Sequence, residues 1–184
     1  VEADTWNHLH SNGKRGRRTG LGFTALADTL AGLGIKFDSD EALDMTREIM
    51  RAKCQAEFDS SVDMAVERGA FDSFDPEIEK TSAFIAFLEK EFPSTYERMM
   101  KHGRRNISLS TVAPTGTVSL LAQTSSGIEP VFMLSYKRRR KATDQTDKEA
   151  TYVDASGDRW EEFDVYHAKL EEWKSLYPNK PIEE

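Results

Sequence analysis

The chain has 184 residues, a net charge of −7, 38% apolar residues and 31% charged residues. That length supports one domain with its own core and excludes two large ones, and the composition fits a helical chain with solvated faces or a piece of something larger. The absence of any run of about 18 apolar residues excludes a membrane-spanning helix, so no membrane partner is expected, and the single cysteine makes a cytoplasmic location the natural reading.

The N-terminus, Val1-Glu2-Ala3-Asp4-Thr5-Trp6, has no initiating Met and no apolar signal core, and reads as a cut within a longer chain. Residues 1–18 form a polar lead-in, expected to be partly loose. Residues 19–104 read as mainly helical. Leu21, Phe23, Leu26, Ala27, Leu30 and Leu33 recur at helical spacing, with Gly34 as the closing residue. Ser39 followed by Asp40 and Glu41 is a helix-start signal. The helix it opens is expected to reach Arg68 and stop at Gly69, burying Leu43, Ile49, Met50, Phe58, Val62 and Ala65. A connector holding Phe71 and Phe74 follows. Ser82–Lys101 is amphipathic and divided by Pro93, which suits the first turn of a second helix.

Residues 105–141 change character. Asn106–Val112 alternates as a strand does, Val118–Ala122 reads as a short helix, and Val131–Lys137 as another strand. Residues 142–150 are polar and expected to be a mobile linker. Residues 151–184 read as a hairpin and a short helix: Thr151–Val153 and Trp160–Tyr166 flank the turn signal Asp154-Ala155-Ser156-Gly157-Asp158, and His167–Leu176 is helical. The fold class is α/β, with a helical first half followed by strand, loop, helix and β-hairpin.

Chemistry concentrates in Ala113–Phe132. A strand-like run enters Pro114-Thr115-Gly116-Thr117 and a helix leaves it, which gathers free backbone N–H groups around one point and suits a phosphate. Thr115, Thr117 and Ser119 offer hydroxyl donors, and Gly116 allows close approach to the backbone. The turn lacks the Gly-Lys-Ser/Thr of a Walker A loop. One short helix later, Ser125-Ser126-Gly127-Ile128-Glu129-Pro130 reads as a second loop on the same rim, with Ser126, Gly127 and Glu129 as candidate rim residues. Glu129 reads equally well as a cap or a salt-bridge partner.

Other features take plain readings. Cys54, the single cysteine, excludes an internal disulfide and a multi-cysteine metal site, and inside a helix it reads as a structural thiol. His8, His10, His102 and His167 read as surface residues, and no metal site is expected. Residues 144–184 hold five Lys/Arg against twelve Asp/Glu, which accounts for the whole net charge. The balanced remainder contains three basic clusters, at Lys14–Arg18, Lys101–Arg105 and Lys137–Lys141, read as solvated runs at element ends.

Asn106-Ile107 through Ala113-Pro114-Thr115-Gly116-Thr117 to Gly127-Ile128-Glu129-Pro130-Val131-Phe132 resembles the large, catalytic chain of ribonucleotide reductases. Arg17-Arg18-Thr19-Gly20-Leu21-Gly22 with Ala25–Asp28 matches a second motif of that family. Tyr136–Arg139 and Trp160–Phe163 with Val165-Tyr166-His167 look like the continuation found in the adenosylcobalamin-dependent class II enzymes. The resemblance covers about Arg17 to Glu172 and implies a fragment of the ten-stranded reductase α/β barrel. It implies that Pro114, Thr115, Gly116, Thr117 and Ser119 grip the phosphates of a ribonucleoside diphosphate. It also implies adenosylcobalamin as cofactor, held mainly outside this chain, with the rest of the reductase chain, a thiol reductant such as thioredoxin and a second copy in a homodimer as partners.

The family's Asn-Pro-Cys-Gly-Glu segment, which carries the radical cysteine, has no counterpart here, nor does its reducing cysteine pair. No catalytic residue is therefore assigned to this chain, and the chain alone is expected to be inactive. Two other readings stay open: a non-catalytic nucleotide-phosphate-binding module, and a helical interaction domain whose basic runs contact nucleic acid.

Overall fold

A computed structural model of the chain describes residues 2–142 and 150–180. In order the elements are α1 (Glu2–Gly16), α2 (Leu26–Gly32), α3 (Asp40–Arg68), α4 (Pro76–Glu79), α5 (Ala83–Glu91), α6 (Pro93–His102), α7 (Gly116–Ala122), β1 (Ser135–Lys141), β2 (Tyr152–Val153), β3 (Arg159–Tyr166) and α8 (Leu170–Leu176). The chain divides into two compact units, residues 1–23 with 38–113, and residues 24–37 with 114–184.

The first unit is built on α3. Ser39 Oγ accepts the Ala42 N–H at 3.2 Å and caps the helix as its sequence predicts, and Gly69 at φ 81° ends it. Phe58 and Val62, one turn apart, turn toward Ile85 and Leu88 of α5 and toward Phe92, Met99 and Leu109 to form the core. Pro93 stands in the first turn of α6, where its missing N–H breaks no helical bond. Phe71 is buried and meets Phe74 edge to face, as the connector's composition suggests. Leu43, expected inside, is 54% exposed, and its neighbour Ala42, at 2%, is the buried residue of the first turn.

Polar groups join this core to the segment that follows it. Arg104 donates to both Glu79 carboxylate oxygens at 2.8 and 2.9 Å and to the carbonyls of Asn106 and Ile107. Asn106 exchanges bonds with Ser61 and donates to the Arg17 carbonyl. The Glu57 carboxylate, buried on α3, takes Lys53 Nζ at 2.6 Å and the Ser110 hydroxyl.

Three expectations for this unit are corrected. Residues 2–16 form a helix, with Glu2 and Asp4 in its first turn and Lys14 and Arg15 in its last, complementing the helix dipole while burying nothing. Leu21 is not helical: it lies in an extended segment that takes Thr19 N–H to Ser108 O, Leu21 N–H to Leu109 O and Thr111 N–H to Leu21 O. Asn106–Val112 accordingly forms a single parallel bridge, Leu21 with Ser110, instead of a strand in a ladder.

In the second unit, α2 ends in a Schellman motif: Ile35 N–H reaches Leu30 O, Gly34 N–H reaches Ala31 O, and Gly34 takes φ 73°. Gly34 thus closes the helix as read from sequence, although the helix begins only at Leu26. The sheet is antiparallel in the order β1-β3-β2, with Ser135 opposite Tyr166 and Lys141 opposite Trp160. The hairpin turn falls where the sequence places it. The strand expected at Val131–Lys137 starts later, at Ser135, because only from there does the chain face β3. The predicted linker at 142–150 lies almost wholly outside the described residues.

Candidate functional site

The Pro-Thr-Gly-Thr turn and the Ser-Ser-Gly loop lie together in the second unit, joined by α7. Thr115 is the residue before the helix and takes the left-handed conformation, φ 50° and ψ 27°, which a β-branched residue seldom adopts. In that conformation its hydroxyl does not cap α7. Thr115 Oγ1 instead accepts the Gly127 N–H at 2.7 Å and donates to Thr24 Oγ1 at 3.1 Å. Gln123, also left-handed at φ 57°, ends the helix and returns the chain toward its start.

Ser119 is buried, and its hydroxyl bonds the Gly116 carbonyl at 3.0 Å and Ser126 Oγ at 2.7 Å. Of the predicted hydroxyls, those of Thr115 and Ser119 are therefore engaged in joining the two loops. Pro114, Gly116 and Thr117 stand exposed at the start of α7, whose first turn has neither a side-chain cap nor an acidic residue. Free N–H groups at a helix start carry partial positive charge, so the site offers neutral donors to an anion. A β-carbon placed on Gly116 meets no atom within 4 Å. Of the rim residues, Ser126 is exposed, Gly127 is buried and Glu129 is exposed.

Thr24, Ala25, Asp28 and His167, none of them a predicted site residue, support this pair of loops. Thr24 Oγ1 donates to the Ser125 carbonyl at 2.6 Å, and the Ala25 N–H reaches the same oxygen at 3.2 Å. The Ser125 N–H goes to Asp28 Oδ2 at 2.8 Å, and Asp28 Oδ1 faces His167 Nε2 at 3.3 Å. The available signal was a carboxylate between Leu26, Ala27 and Leu30, all buried on a short helix.

The basic clusters have local partners. Along β1, Lys137 and Arg139 pair with Glu162, Arg140 with Glu161 and Lys141 with Asp158. The third cluster's charge is thereby offset by its neighbouring strand and the turn. Arg15, Arg17, Arg18 and Ser73 line a cavity of about 400 Å³ in the first unit, away in sequence from every predicted site residue. The Cys54 thiol is pushed up from its ordinary pKa by burial first and by the Glu57 carboxylate second, with Lys53 opposing, which is the reverse of nucleophile activation. His8 is an exposed residue of α1 in contact with Asn12, and His10 is exposed on the same helix.

Residues 3–175 match the family model described as ribonucleotide reductase, barrel domain. Among similar proteins is the vitamin B12-dependent ribonucleoside-diphosphate reductase of Mycobacterium tuberculosis (strain CDC 1551 / Oshkosh), 40% identical over 66% of this chain and 15% of its own length. The protein of the same name from Thermoplasma acidophilum is 34% identical over 66% of this chain and 14% of its own. The ribonucleoside-diphosphate reductase subunit alpha of Treponema pallidum is 29% identical over 68% of this chain and 15% of its own. The chain thus spans about 15% of the length of these relatives. With a family match across nearly its whole extent, this α/β chain belongs to the ribonucleotide reductase barrel-domain family and is a fragment of such a barrel.

Proposed function

We propose that this chain supplies the substrate-phosphate loop of a ribonucleoside-diphosphate reductase of the adenosylcobalamin-dependent class. The observation that carries the reading is the uncapped first turn of α7 with open space over Gly116, held in shape by the Thr115–Gly127 bond. The N–H groups of that turn and the Thr117 hydroxyl receive the diphosphate, while Pro114 fixes the backbone on entry. Thr115 and Ser119 act from behind, by bonding the turn to the Gly127 and Ser126 loop. Ser126, Gly127 and Glu129 form the rim.

A diphosphate held by several fixed donors anchors the far end of the nucleotide. Binding energy released there orients the ribose toward reactive groups on the remainder of the protein. The anchoring is rigid because the loops are cross-bonded before any substrate arrives.

The Mycobacterium tuberculosis and Thermoplasma acidophilum relatives are named as vitamin B12-dependent, and that supports adenosylcobalamin as the cofactor of the complete protein, where it would supply the radical chemistry. The cofactor is assigned mainly to the rest of the reductase, as are the radical cysteine and the thiol reductant. Beside the loop, Leu120 and Leu121 of α7 are 79% and 88% exposed, and Phe132 is 98% exposed. Apolar surface of that kind beside a polar site favours a covering partner, and the rest of the barrel is its proposed source.

The test is equilibrium binding to the complete protein. Saturable binding of a nucleoside diphosphate, displaced by inorganic pyrophosphate, is expected, with no salt-dependent affinity for duplex DNA. Salt-dependent DNA binding without diphosphate binding would overturn the reading in favour of a nucleic-acid contact.

A further inference from the structure

Ser125 is the most tightly held residue of the second loop. It is 2% exposed, and both of its backbone groups are taken by the segment that opens α2. Its carbonyl accepts Thr24 Oγ1 at 2.6 Å and the Ala25 N–H at 3.2 Å, and its N–H donates to Asp28 Oδ2 at 2.8 Å. Two residues on, Gly127 donates to Thr115, the residue that opens the phosphate turn. Two hydrogen bonds, joined by the short backbone from Ser125 to Gly127, therefore connect Asp28 to Thr115.

The other oxygen of Asp28 looks the opposite way. His167 Nδ1 accepts the Lys169 N–H at 3.2 Å, which leaves the ring proton on Nε2, aimed at Asp28 Oδ1 at 3.3 Å. The His167 N–H in turn reaches the Leu134 carbonyl at 2.9 Å, so the ring sits where the end of β3 meets the lead-in to β1. Beyond it, α8 and the residues after it bond the open end of α2. Trp173 Nε1 donates to Ala31 O at 3.1 Å, the Tyr177 hydroxyl to Gly32 O at 2.7 Å and Lys180 Nζ to Gly34 O at 2.6 Å. These donors satisfy carbonyls that a helix end leaves unpaired.

We propose that Asp28 is a positioning residue for the phosphate loop, and that through His167 it makes the loop's shape depend on the hairpin and α8. This rests on the loop being the diphosphate site. Asp28 touches no ligand; it supplies the sole partner found for a buried backbone N–H among the described residues, and loss of that partner frees the loop to sample other conformations. A neutral side chain that still presents an acceptor oxygen keeps the bond, so charge at this position is secondary to hydrogen-bond geometry.

The experiment uses the complete protein and compares nucleoside diphosphate affinity with kcat across four variants at Asp28 and His167, with Gly116→Val as the control for the loop. Asp28→Ala is expected to weaken affinity by about tenfold, the scale of one lost charge-assisted bond, with kcat at saturation within about twofold. Asp28→Asn is expected to restore affinity to within about threefold, because its amide oxygen accepts the Ser125 N–H. His167→Ala is expected to weaken affinity about threefold, and His167→Gln, which offers an N–H to Asp28, to recover it. Where Asp28→Ala does not fold, the His167 pair gives the decision. Unchanged affinity in both alanine variants, with Gly116→Val abolishing binding, overturns the positioning role and leaves the loop assignment standing. Unchanged affinity in Gly116→Val as well overturns the loop assignment itself.

Discussion

Thr115 Oγ1 accepts the Gly127 N–H at 2.7 Å, so the residue that precedes α7 is bonded to the loop that follows it. The bond requires Thr115 at φ 50°, which aims its hydroxyl away from the helix start and toward Gly127 and Thr24. The left-handed backbone therefore has a geometric consequence: the Thr115 hydroxyl does not cap α7, and it ties the two loops together.

Thr115→Val isolates the hydroxyl, because valine keeps the β-branch and hence the backbone strain. Loss of about 1–3 kcal/mol is expected, the cost of leaving a buried N–H without a partner. Thr115→Ser should recover most of it. Urea unfolding reads the stability, and faster hydrogen exchange at the Gly127 amide locates the effect.

Arg104 tests the first unit. Its guanidinium and the Glu79 carboxylate are 8% and 10% exposed as side chains, and the pair is bidentate. Arg104→Met is expected to destabilise by about 3–5 kcal/mol, because Glu79 then keeps a buried charge without its partner. Adding Glu79→Gln to that variant should recover part of the loss. Denaturant midpoints of the single and double variants check both statements.

Asp154 organises the hairpin turn. It accepts Trp160 Nε1 at 2.7 Å and the Ser156 and Asp158 N–H groups at 2.9 and 3.0 Å. The Trp160 bond first, and the Asp158 N–H second, hold its pKa below the ordinary value. Because the folded pKa is the lower one, its contribution is present above the unfolded pKa and is lost as pH falls through the folded value. The Trp160 indole N–H signal should therefore stay protected at neutral pH and be lost only below the ordinary aspartate range. Asp154→Ala should remove that protection at neutral pH. A signal equally protected in the variant contradicts the role.

Much of the first unit is legible in the sequence because its signals are local. Ser39, Gly69 and Pro93 mark helix ends by their own chemistry, and Phe58 and Val62 repeat at helical spacing. Helix α1 was not legible, since it buries nothing and so shows no apolar period. Leu21 and Phe23 misled for the opposite reason: two apolar residues spaced for a strand continued into the helical spacing of α2. At the site, Gly116 and Thr117 were readable as a helix start. The bonds of Ser125 to Thr24 and Asp28 span about a hundred residues of sequence, and no local pattern encodes them. His167 likewise reads as a surface residue until the fold sets it against Asp28.

The central claim is that the start of α7 holds a diphosphate, and Gly116→Val tests it most directly. A β-carbon there meets nothing within 4 Å, so the substitution fills only space that a ligand would use. It should leave the unfolding midpoint of the complete protein close to wild type, at a helix-propensity cost of about 0.5 kcal/mol or less relative to glycine in either direction. Nucleoside diphosphate affinity, measured by calorimetric titration, should fall by at least about a hundredfold. A stable Gly116→Val protein that binds the diphosphate as wild type does would contradict the account.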